Sequence, residues 1–271
     1  MADHQRITRA AAMFFDYFGL VPDDAKKDSL RKIVQSFSSI PWENLTKFLT
    51  KAQLKEKASR LRLPGTVISE HIQNGAGGTC FSLTAALGDV LESAGYICNP
   101  VMAEMRHGRN IHCALLIITP DGTRFLADPG YLVPVPIPLE QGKNTRLDVY
   151  DKKLIWEPDS ESKSYNMYTI EGENRQWRYE VYLKPVSRAE FRRHWQMSFD
   201  ATGMNSLHLN CRSEDRRLSA HNMNLRIVAK EGKQNEKLRD NYSGQIEKYF
   251  GLNRTVADAA LSEWIKLCQD R

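Results

Sequence analysis

The chain has 271 residues and a formal net charge of +5, with the composition of an ordinary globular protein. This length allows one large domain or two to three smaller ones. The basic side chains are scattered, and no basic stretch is interleaved with aromatic residues, so we expect no nucleic-acid partner. The mild positive charge is compatible with anionic ligands.

The cysteine pattern indicates a reduced protein. The five cysteines are odd in number, widely spaced and without a C-x-x-C pair, which argues against a disulfide framework and a four-thiolate zinc site. The first residues lack the apolar stretch of a signal peptide, and no apolar run approaches the length of a membrane span. We therefore expect a cytoplasmic protein with no membrane partner.

The first part of the chain is helical in pattern. Apolar residues recur at helical spacing over 7–18 and again over 28–37, which predicts two amphipathic helices. A polar stretch over 47–63 is broken at Pro64-Gly65, and a short helix is expected over 67–72. We interpret residues 1–94 as a helical domain.

The last helix of this domain begins near Cys80. Apolar residues follow at a spacing of three to four residues, and Gly95 is a typical helix stop; they are Leu83, Leu87, Val90 or Leu91, and Ala94. This pattern buries one side of the helix in a core and fixes the position of the thiol.

After Gly95 the pattern changes to short β-rich segments separated by turn residues, and the tract 134–138 must be an extended connector. The predicted strands are 97–106, 111–119, 124–128, 165–171 and 178–183. Beyond them we expect a helix over 188–195, strands over 207–211 and 225–229, and helices over 241–250 and 256–268. This order predicts an α+β protein, with a β domain over 95–195 and a smaller α/β domain over 196–271.

The turn between two of these strands predicts their register. Pro120, Asp121 and Gly122 suit a three-residue loop with the glycine in the left-handed conformation. In that register Asp128 falls opposite residue 114, so His112 is its diagonal neighbour on the same face, roughly 7–8 Å away. A two-residue loop would place the two side chains on opposite faces. The turn therefore favours a His–Asp pair.

The residues ahead of the same helix predict a reactive thiol. Gly77 and Gly78 deliver Cys80 to the first helical turn, where the partial positive charge of the helix N-terminus favours the thiolate. Cysteine, histidine and acid are the groups that thiol nucleophilic catalysis needs. We assign Cys80 as the nucleophile, His112 as the general base and Asp128 as the group that orients the imidazole. The backbone N–H of Cys80 is a candidate oxyanion donor.

Each of these residues also has an ordinary structural interpretation. A helical cysteine is usually a small buried residue, a strand histidine is usually a satisfied core residue, and an acid before Pro-Gly is usually a turn residue. The glycine-rich tract resembles a phosphate loop, but no Gly-Lys-Ser/Thr follows it. A zinc site at His107, His112 and Cys113 is disfavoured because adjacent strand residues face opposite sides, and we expect no metal.

Taken together, several segments resemble the arylamine N-acetyltransferase family. Ile40-Pro41-Trp42-Glu43-Asn44-Leu45 is similar to the family's I-P-F-E-N-L, and Gly77-Gly78-Thr79-Cys80-Phe81 is similar to its R-G-G-x-C-F nucleophile motif. Segments 111–115 and 126–131 lie where the family carries its histidine and its D-V-G-F-G. The tracts 197–210 and 249–252 also look like family features, so the resemblance spans nearly the whole chain.

The resemblance implies an N-terminal helical domain, a central β-barrel and a C-terminal α/β lid, around a core like that of the cysteine proteases. It implies transfer of an acetyl group from acetyl-CoA, as co-substrate, through the thiol of Cys80 to an arylamine, arylhydrazine or related amine. Cys80, His112 and Asp128 are then the catalytic triad. The substrate-binding candidates that it implies are Trp42, Glu43, Phe81, Tyr131 and Gly203.

The chain departs from the family pattern around these groups. Ala76 replaces the arginine before the double glycine, so Glu43 must find another cation or water. Ser82 and Thr84 replace the glutamate and asparagine after the cysteine. Pro129 replaces a small apolar residue, and Leu132, at the last glycine of D-V-G-F-G, is expected to narrow any pocket that it lines.

Two other functions remain open from the sequence. An amide synthase or a thiol hydrolase of the same fold would share the triad and use a different acyl donor. A binding protein whose triad has become structural would keep the fold without the chemistry.

Overall fold

The computed structural model describes residues 7–22, 27–149, 152–201, 205–213 and 215–269. Its helices are α1 Arg9–Tyr17, α2 Lys27–Phe37, α3 Leu45–Gln53, α4 Pro64–Asn74, α5 Cys80–Ser93, α6 Arg188–Met197, α7 Tyr242–Phe250 and α8 Arg254–Gln269. Its first strands are β1 Trp42–Glu43, β2 Ile97–Met105, β3 Gly108–Ile118, β4 Arg124–Ala127, β5 Ile137–Pro138 and β6 Thr145–Val149. The others are β7 Lys152–Asp159, β8 Ser164–Glu171, β9 Asn174–Tyr182, β10 His208–Arg212, β11 Arg216–His221, β12 Asn224–Ala229 and β13 Gly232–Lys237.

The N-terminal helices surround α5, whose side chains are almost all buried. Phe14 of α1 and Phe37 of α2 pack against each other, with ring centroids 5.8 Å apart, in the core that α5 shares. The predicted helices over 7–18 and 28–37 are confirmed. No helix was predicted in the polar stretch over 47–63, but it contains most of α3 and a short 3₁₀ turn. Pro64 is the first residue of α4, a position that needs no backbone N–H.

Eight antiparallel strands form the central sheet in the order β5-β4-β3-β2-β9-β8-β7-β6. The sheet curls into a nearly closed barrel, and the Thr145 hydroxyl of β6 donates to the Pro138 carbonyl of β5 across the gap (2.7 Å). The interior is filled by fully buried side chains such as Trp156 and Tyr179. The predicted combination of helices and a β-barrel is confirmed. Strands β6 and β7 were missed, and β7 ends in Glu157-Pro158-Asp159, which reads as a turn.

A second sheet, in the order β1-β10-β11-β12-β13, packs with α7 and α8. Its first strand comes from the N-terminal part of the chain: Trp42 pairs with Asn210, and Glu43 pairs with Leu209. The α7–α8 core therefore includes Leu45 of α3. The domain boundaries at 94/95 and 195/196 stay a prediction. In the described part of the chain, no helix has both the length and the apolar character to cross a membrane.

Candidate active site

Cys80 is the first residue of α5, and the loop before it is held by the segment that carries Trp42. The Gly78 N–H donates to the Pro41 carbonyl (3.2 Å), and the Glu43 N–H donates to the Gly78 carbonyl (3.0 Å). A Cβ on Gly77 would collide with the Pro41 backbone, so this close pairing requires glycine. The two sequence motifs therefore form one structural unit, which fixes where α5 begins.

Beneath this unit lies a buried ion pair that the sequence left unassigned. The Glu43 carboxylate is fully buried and accepts from the Thr46 N–H (2.9 Å) and hydroxyl (2.6 Å). Arg62 is the cation, with Nη1 3.6 Å from Glu43 Oε1. The same Nη1 donates to the Gly77 carbonyl (2.5 Å), while Nη2 pairs with Glu70 (2.5 Å). Arg62 thus stabilises the cysteine loop from a position well before Ala76.

His112 and Asp128 meet on the β3–β4 hairpin. The register predicted from the turn is confirmed: residue 115 pairs with 127, and the Thr119 N–H donates to the Thr123 carbonyl (3.0 Å). His112 Nε2 lies 3.0 Å from Asp128 Oδ2, and the other carboxylate oxygen accepts from the Tyr131 N–H (3.0 Å). Both side chains are buried. The carboxylate is therefore fixed at both oxygens.

Cys80 and His112 meet at Gly130. A Cβ on Gly130 would lie 2.7 Å from His112 Cε1 and 2.8 Å from Cys80 Cβ, so both side chains flank the same small space. Cys80 is 8% exposed as a residue, and its thiol lies 3.7 Å from the Ile111 carbonyl. Gly130 leaves that space open between the thiol and the imidazole.

The electrostatics favour a charged pair. A hydrogen bond from the Cys113 thiol, with smaller contributions from His112 and Lys47, lowers the pKa of Cys80 well below its ordinary value, although burial opposes this shift. Burial alone would lower the pKa of His112, but the charge and hydrogen bond of Asp128, together with Cys80, raise it to about 10. Both shifts favour a thiolate beside an imidazolium.

A buried lysine adds positive charge from α3. Lys47 Nζ donates to the Ser198 carbonyl (2.7 Å) and hydroxyl (2.8 Å) and lies 4.7 Å from the Phe199 ring centroid. Burial is the main cause that lowers the pKa of Lys47 to about 8, and the thiolate of Cys80 opposes that shift. Helical spacing alone would place this lysine on a solvated face, so nothing in the sequence indicates that it is buried.

Two tyrosines enclose the imidazole. The Tyr179 ring lies 5.0 Å from that of His112 and 5.3 Å from that of Tyr131, measured between centroids. The Trp156 indole donates to the Tyr179 hydroxyl (3.0 Å), which fixes this ring inside the barrel. Tyr179 was missed by sequence reasoning, although its inward position follows from the alternation of β9.

The thiol and the imidazole open into a cavity of about 390 Å³. Two of the expected substrate-binding residues, Trp42 and Tyr131, line it, whereas Glu43 and Phe81 are not among the described lining residues. Glu43 faces Thr46 and Arg62, and the fully buried Phe81 packs against Phe191 (5.5 Å between centroids), so both support the site from behind. Gly203 lies outside the described residues.

Basic side chains line the same cavity from both sheets. Lys152 and Arg178 belong to the barrel, and Arg212 and Arg217 belong to the C-terminal sheet. Among the described residues, no group of three or more His, Cys, Asp or Glu side chains is placed to hold a metal ion.

Leu132 lines the cavity, and its backbone is unusual. It has φ of +52° and ψ of +38°, the left-handed conformation, and its side chain is 7% exposed. A non-glycine residue in this conformation costs about 1–2 kcal/mol. The bulky side chain is therefore held against the cavity at the expense of backbone strain.

A sequence model of a family described as N-acetyltransferase matches residues 27–258. No curated protein sequence matches the chain significantly. Among solved structures, the arylamine N-acetyltransferase from M. tuberculosis superposes with a TM-score of 0.75 at 19% identity, over 89% of this chain and 92% of that chain. The enzyme from Salmonella typhimurium gives a TM-score of 0.77 at 15% identity, over 95% of this chain and 99% of that chain.

The structure of the Mycobacterium marinum arylamine N-acetyltransferase in complex with CoA gives a TM-score of 0.75 at 17% identity, over 92% of this chain and 97% of that chain. At these identities the structural likeness shows the shared fold. The family model covers most of the chain and shows the class of enzyme. The chain belongs to the arylamine N-acetyltransferase family, as a divergent member, and is an acyltransferase.

Proposed function

We propose that the protein transfers an acetyl group from acetyl-CoA to an arylamine, arylhydrazine or related amine through a thioester on Cys80. The observation that carries this proposal is the convergence of Cys80 and His112 at Gly130, with Asp128 hydrogen-bonded to the imidazole, at the end of one cavity. Family membership makes acetyl transfer to arylamines the expected reaction.

In the first half-reaction, the Cys80 thiolate attacks the acetyl carbonyl carbon and the bond from that carbon to the CoA sulfur breaks. The imidazolium of His112 gives its proton to the departing CoA sulfur, so free CoA leaves as a thiol. The backbone N–H of Cys80, at the start of α5, is the candidate donor to the oxyanion formed between these steps.

In the second half-reaction, the amine nitrogen attacks the thioester carbonyl while His112, now neutral, accepts a proton from the amine. The carbon–sulfur bond to Cys80 breaks, the N-acetyl product leaves, and the thiolate–imidazolium pair is restored. Asp128 holds the imidazole and stabilises its charged form in both directions.

The surroundings support acetyl-CoA as the co-substrate. Lys152, Arg212 and Arg217 supply positive charge along the cavity, which suits the phosphates of a CoA molecule. Trp42 and Tyr131 provide aromatic walls for the substrates. A thiolate nucleophile works only while it is reduced, so the proposal also places the enzyme in a reducing compartment, the cytoplasm.

The test is the intact mass after brief incubation with acetyl-CoA and no acceptor, beside Cys80→Ala. We expect a gain of one acetyl group in the wild type only, with CoA released in equal amount and the adduct discharged by an aromatic amine or hydrazine. No adduct and no CoA release, with Cys80 still reactive toward an alkylating agent, would reject acetyl-CoA as the donor. An unreactive Cys80 would reject nucleophilic catalysis altogether.

A further inference from the structure

Arg178 lies in the cavity wall because strand β9 contains a β-bulge at this position. On β9, residue 179 pairs with 167 and residue 177 pairs with 168, so Arg178 is an extra residue without a partner on β8. Such a β-bulge turns consecutive side chains toward the same face, where plain alternation would turn one of them outward. Tyr179 therefore points at His112, while Arg178 lines the cavity beside it.

The Arg178 guanidinium is fixed by one hydrogen bond through Nε, and its other N–H groups can bind a ligand. Arg178 Nε donates to the Thr169 hydroxyl (2.8 Å). Across the described ranges, no carboxylate forms an ion pair with Arg178. The cavity that it lines also has apolar side chains in its wall, including Leu132, Val133 and Leu154. A cation on an apolar wall interacts with an opposite charge more strongly than it would in water, and its fork-like N–H groups match a carboxylate.

Arg178 lies next in the chain to a residue that contacts the imidazole. Arg178 is the direct neighbour of Tyr179, about 3.8 Å away between Cα atoms, and the Tyr179 ring contacts that of His112. Arg178 and Cys80 line one cavity of about 390 Å³, so a small acceptor bound there can contact both groups. Trp42, Ile111 and Tyr131 also line this cavity, which suits an aromatic ring.

We propose that Arg178 is a specificity-determining residue that binds a carboxylate on the ring of the acceptor amine, so that aminobenzoates are preferred over neutral arylamines. The inference rests on the proposed function, because it names the acceptor class of that same site. Since a bidentate, charge-assisted contact is lost when the carboxylate becomes an amide, the acid is preferred roughly tenfold or more.

The experiment compares kcat/KM for 3- and 4-aminobenzoate with that for the corresponding aminobenzamides. The wild type is expected to favour at least one acid roughly tenfold or more. In Arg178→Gln the ratio of acid to amide falls toward one, and in Arg178→Lys it is intermediate. Arg175→Gln is the matched control, because Arg175 lies on the same strand but pairs with Glu157 at the surface and leaves the ratio unchanged.

Three results would overturn the inference. These are equal use of acid and amide by the wild type, an unchanged ratio in Arg178→Gln, or a rise in KM for acetyl-CoA with the ratio kept, which would assign Arg178 to the donor. If the wild type acetylates no amine, the proposed function fails. The subsite is then tested by protection of Cys80 from iodoacetamide, where benzoate must protect better than benzamide in the wild type and not in Arg178→Gln.

Discussion

The proposed catalytic corner, formed by Cys80, His112, Asp128 and Gly130, differs from the loop that supports it in how its residues are placed along the chain. At the corner, Cys80, His112, Asp128 and Gly130 occupy the positions at which the family pattern carries its nucleophile, base, acid and close glycine. Behind the loop, the family's arginine is replaced by Ala76, and Arg62 reaches Glu43 and the Gly77 carbonyl from another helix boundary. The residues of the corner keep their places in the sequence pattern. The loop needs only a cation beside the Glu43 carboxylate, and that cation can come from a different part of the chain.

Asp128→Asn is expected to have the largest effect on the corner. Asparagine keeps the shape but removes the charge that raises the pKa of His112, so the imidazolium is lost at lower pH and the thiolate with it. We expect kcat to fall by roughly 10³–10⁴-fold with the fold retained. Steady-state kinetics and circular dichroism together check this, and a rate near that of the wild type would remove Asp128 from the triad.

Gly130→Ala tests the space between the thiol and the imidazole. The added methyl group would lie within 2.8 Å of both side chains, so one of them must move. We expect a loss of roughly 10²-fold in kcat/KM, the effect of a misplacement of about 1 Å. Gly65→Ala is the matched control, because a Cβ there meets nothing within 4 Å. Equal activity of the two variants would contradict the geometry at Gly130.

Arg62→Met tests whether the buried ion pair with Glu43 stabilises the loop before Cys80. The change leaves the Glu43 carboxylate buried without its cation, at a cost of about 3–5 kcal/mol in the free energy of unfolding. Adding Glu43→Gln should restore part of this loss, which a double-mutant cycle by urea unfolding measures. Arg188→Met, at an exposed pair with Glu92, should cost about 0–1 kcal/mol. Similar losses at Arg62 and Arg188 would show that the buried network does not support the loop.

Substitutions of Leu132 are expected to change the stability least, and two of them can be compared directly. Leu132→Ala and Leu132→Gly both remove the side chain from the cavity wall, but only glycine also relieves the left-handed backbone. We expect the glycine variant to be the more stable by about 1 kcal/mol. Urea unfolding checks this difference, and an alanine variant of equal or higher stability would show that the backbone is not strained.

The His112–Asp128 pair could be predicted from the sequence because each step that leads to it is local. Pro120-Asp121-Gly122 sets a three-residue loop, the loop sets the register, and the register brings His112 and Asp128 together. The remaining features depend on contacts between distant segments. Nothing near Glu43 in the chain points to Arg62, and alternation along β9 places Arg178 on the wrong face because a bulge leaves no clear sequence pattern.

Strands β13 and β1 could not be predicted from their own residues either. The edge strand β13 consists of glycine, lysine, glutamine, asparagine and glutamate, which resembles a loop, and its charges suit an edge that must not pair further. Strand β1 has only two residues, and hydrogen bonds from the side chain of the following residue, Asn44, hold it against the C-terminal sheet. Asn44 accepts from the His208 N–H (2.8 Å) and donates to the Ser206 carbonyl (2.8 Å).

The most direct measurement is the rate of Cys80 alkylation by iodoacetamide as a function of pH, with each modified cysteine assigned by peptide mass. The exposed Cys268 serves as an internal reference. The lowered pKa of Cys80 and the raised pKa of His112, about 10, predict a rate that stays high through neutral pH and falls only in acid, as the thiolate gains a proton. A rate that rises only near pH 9, the ordinary value for a thiol, would contradict the thiolate–imidazolium pair on which the mechanism depends.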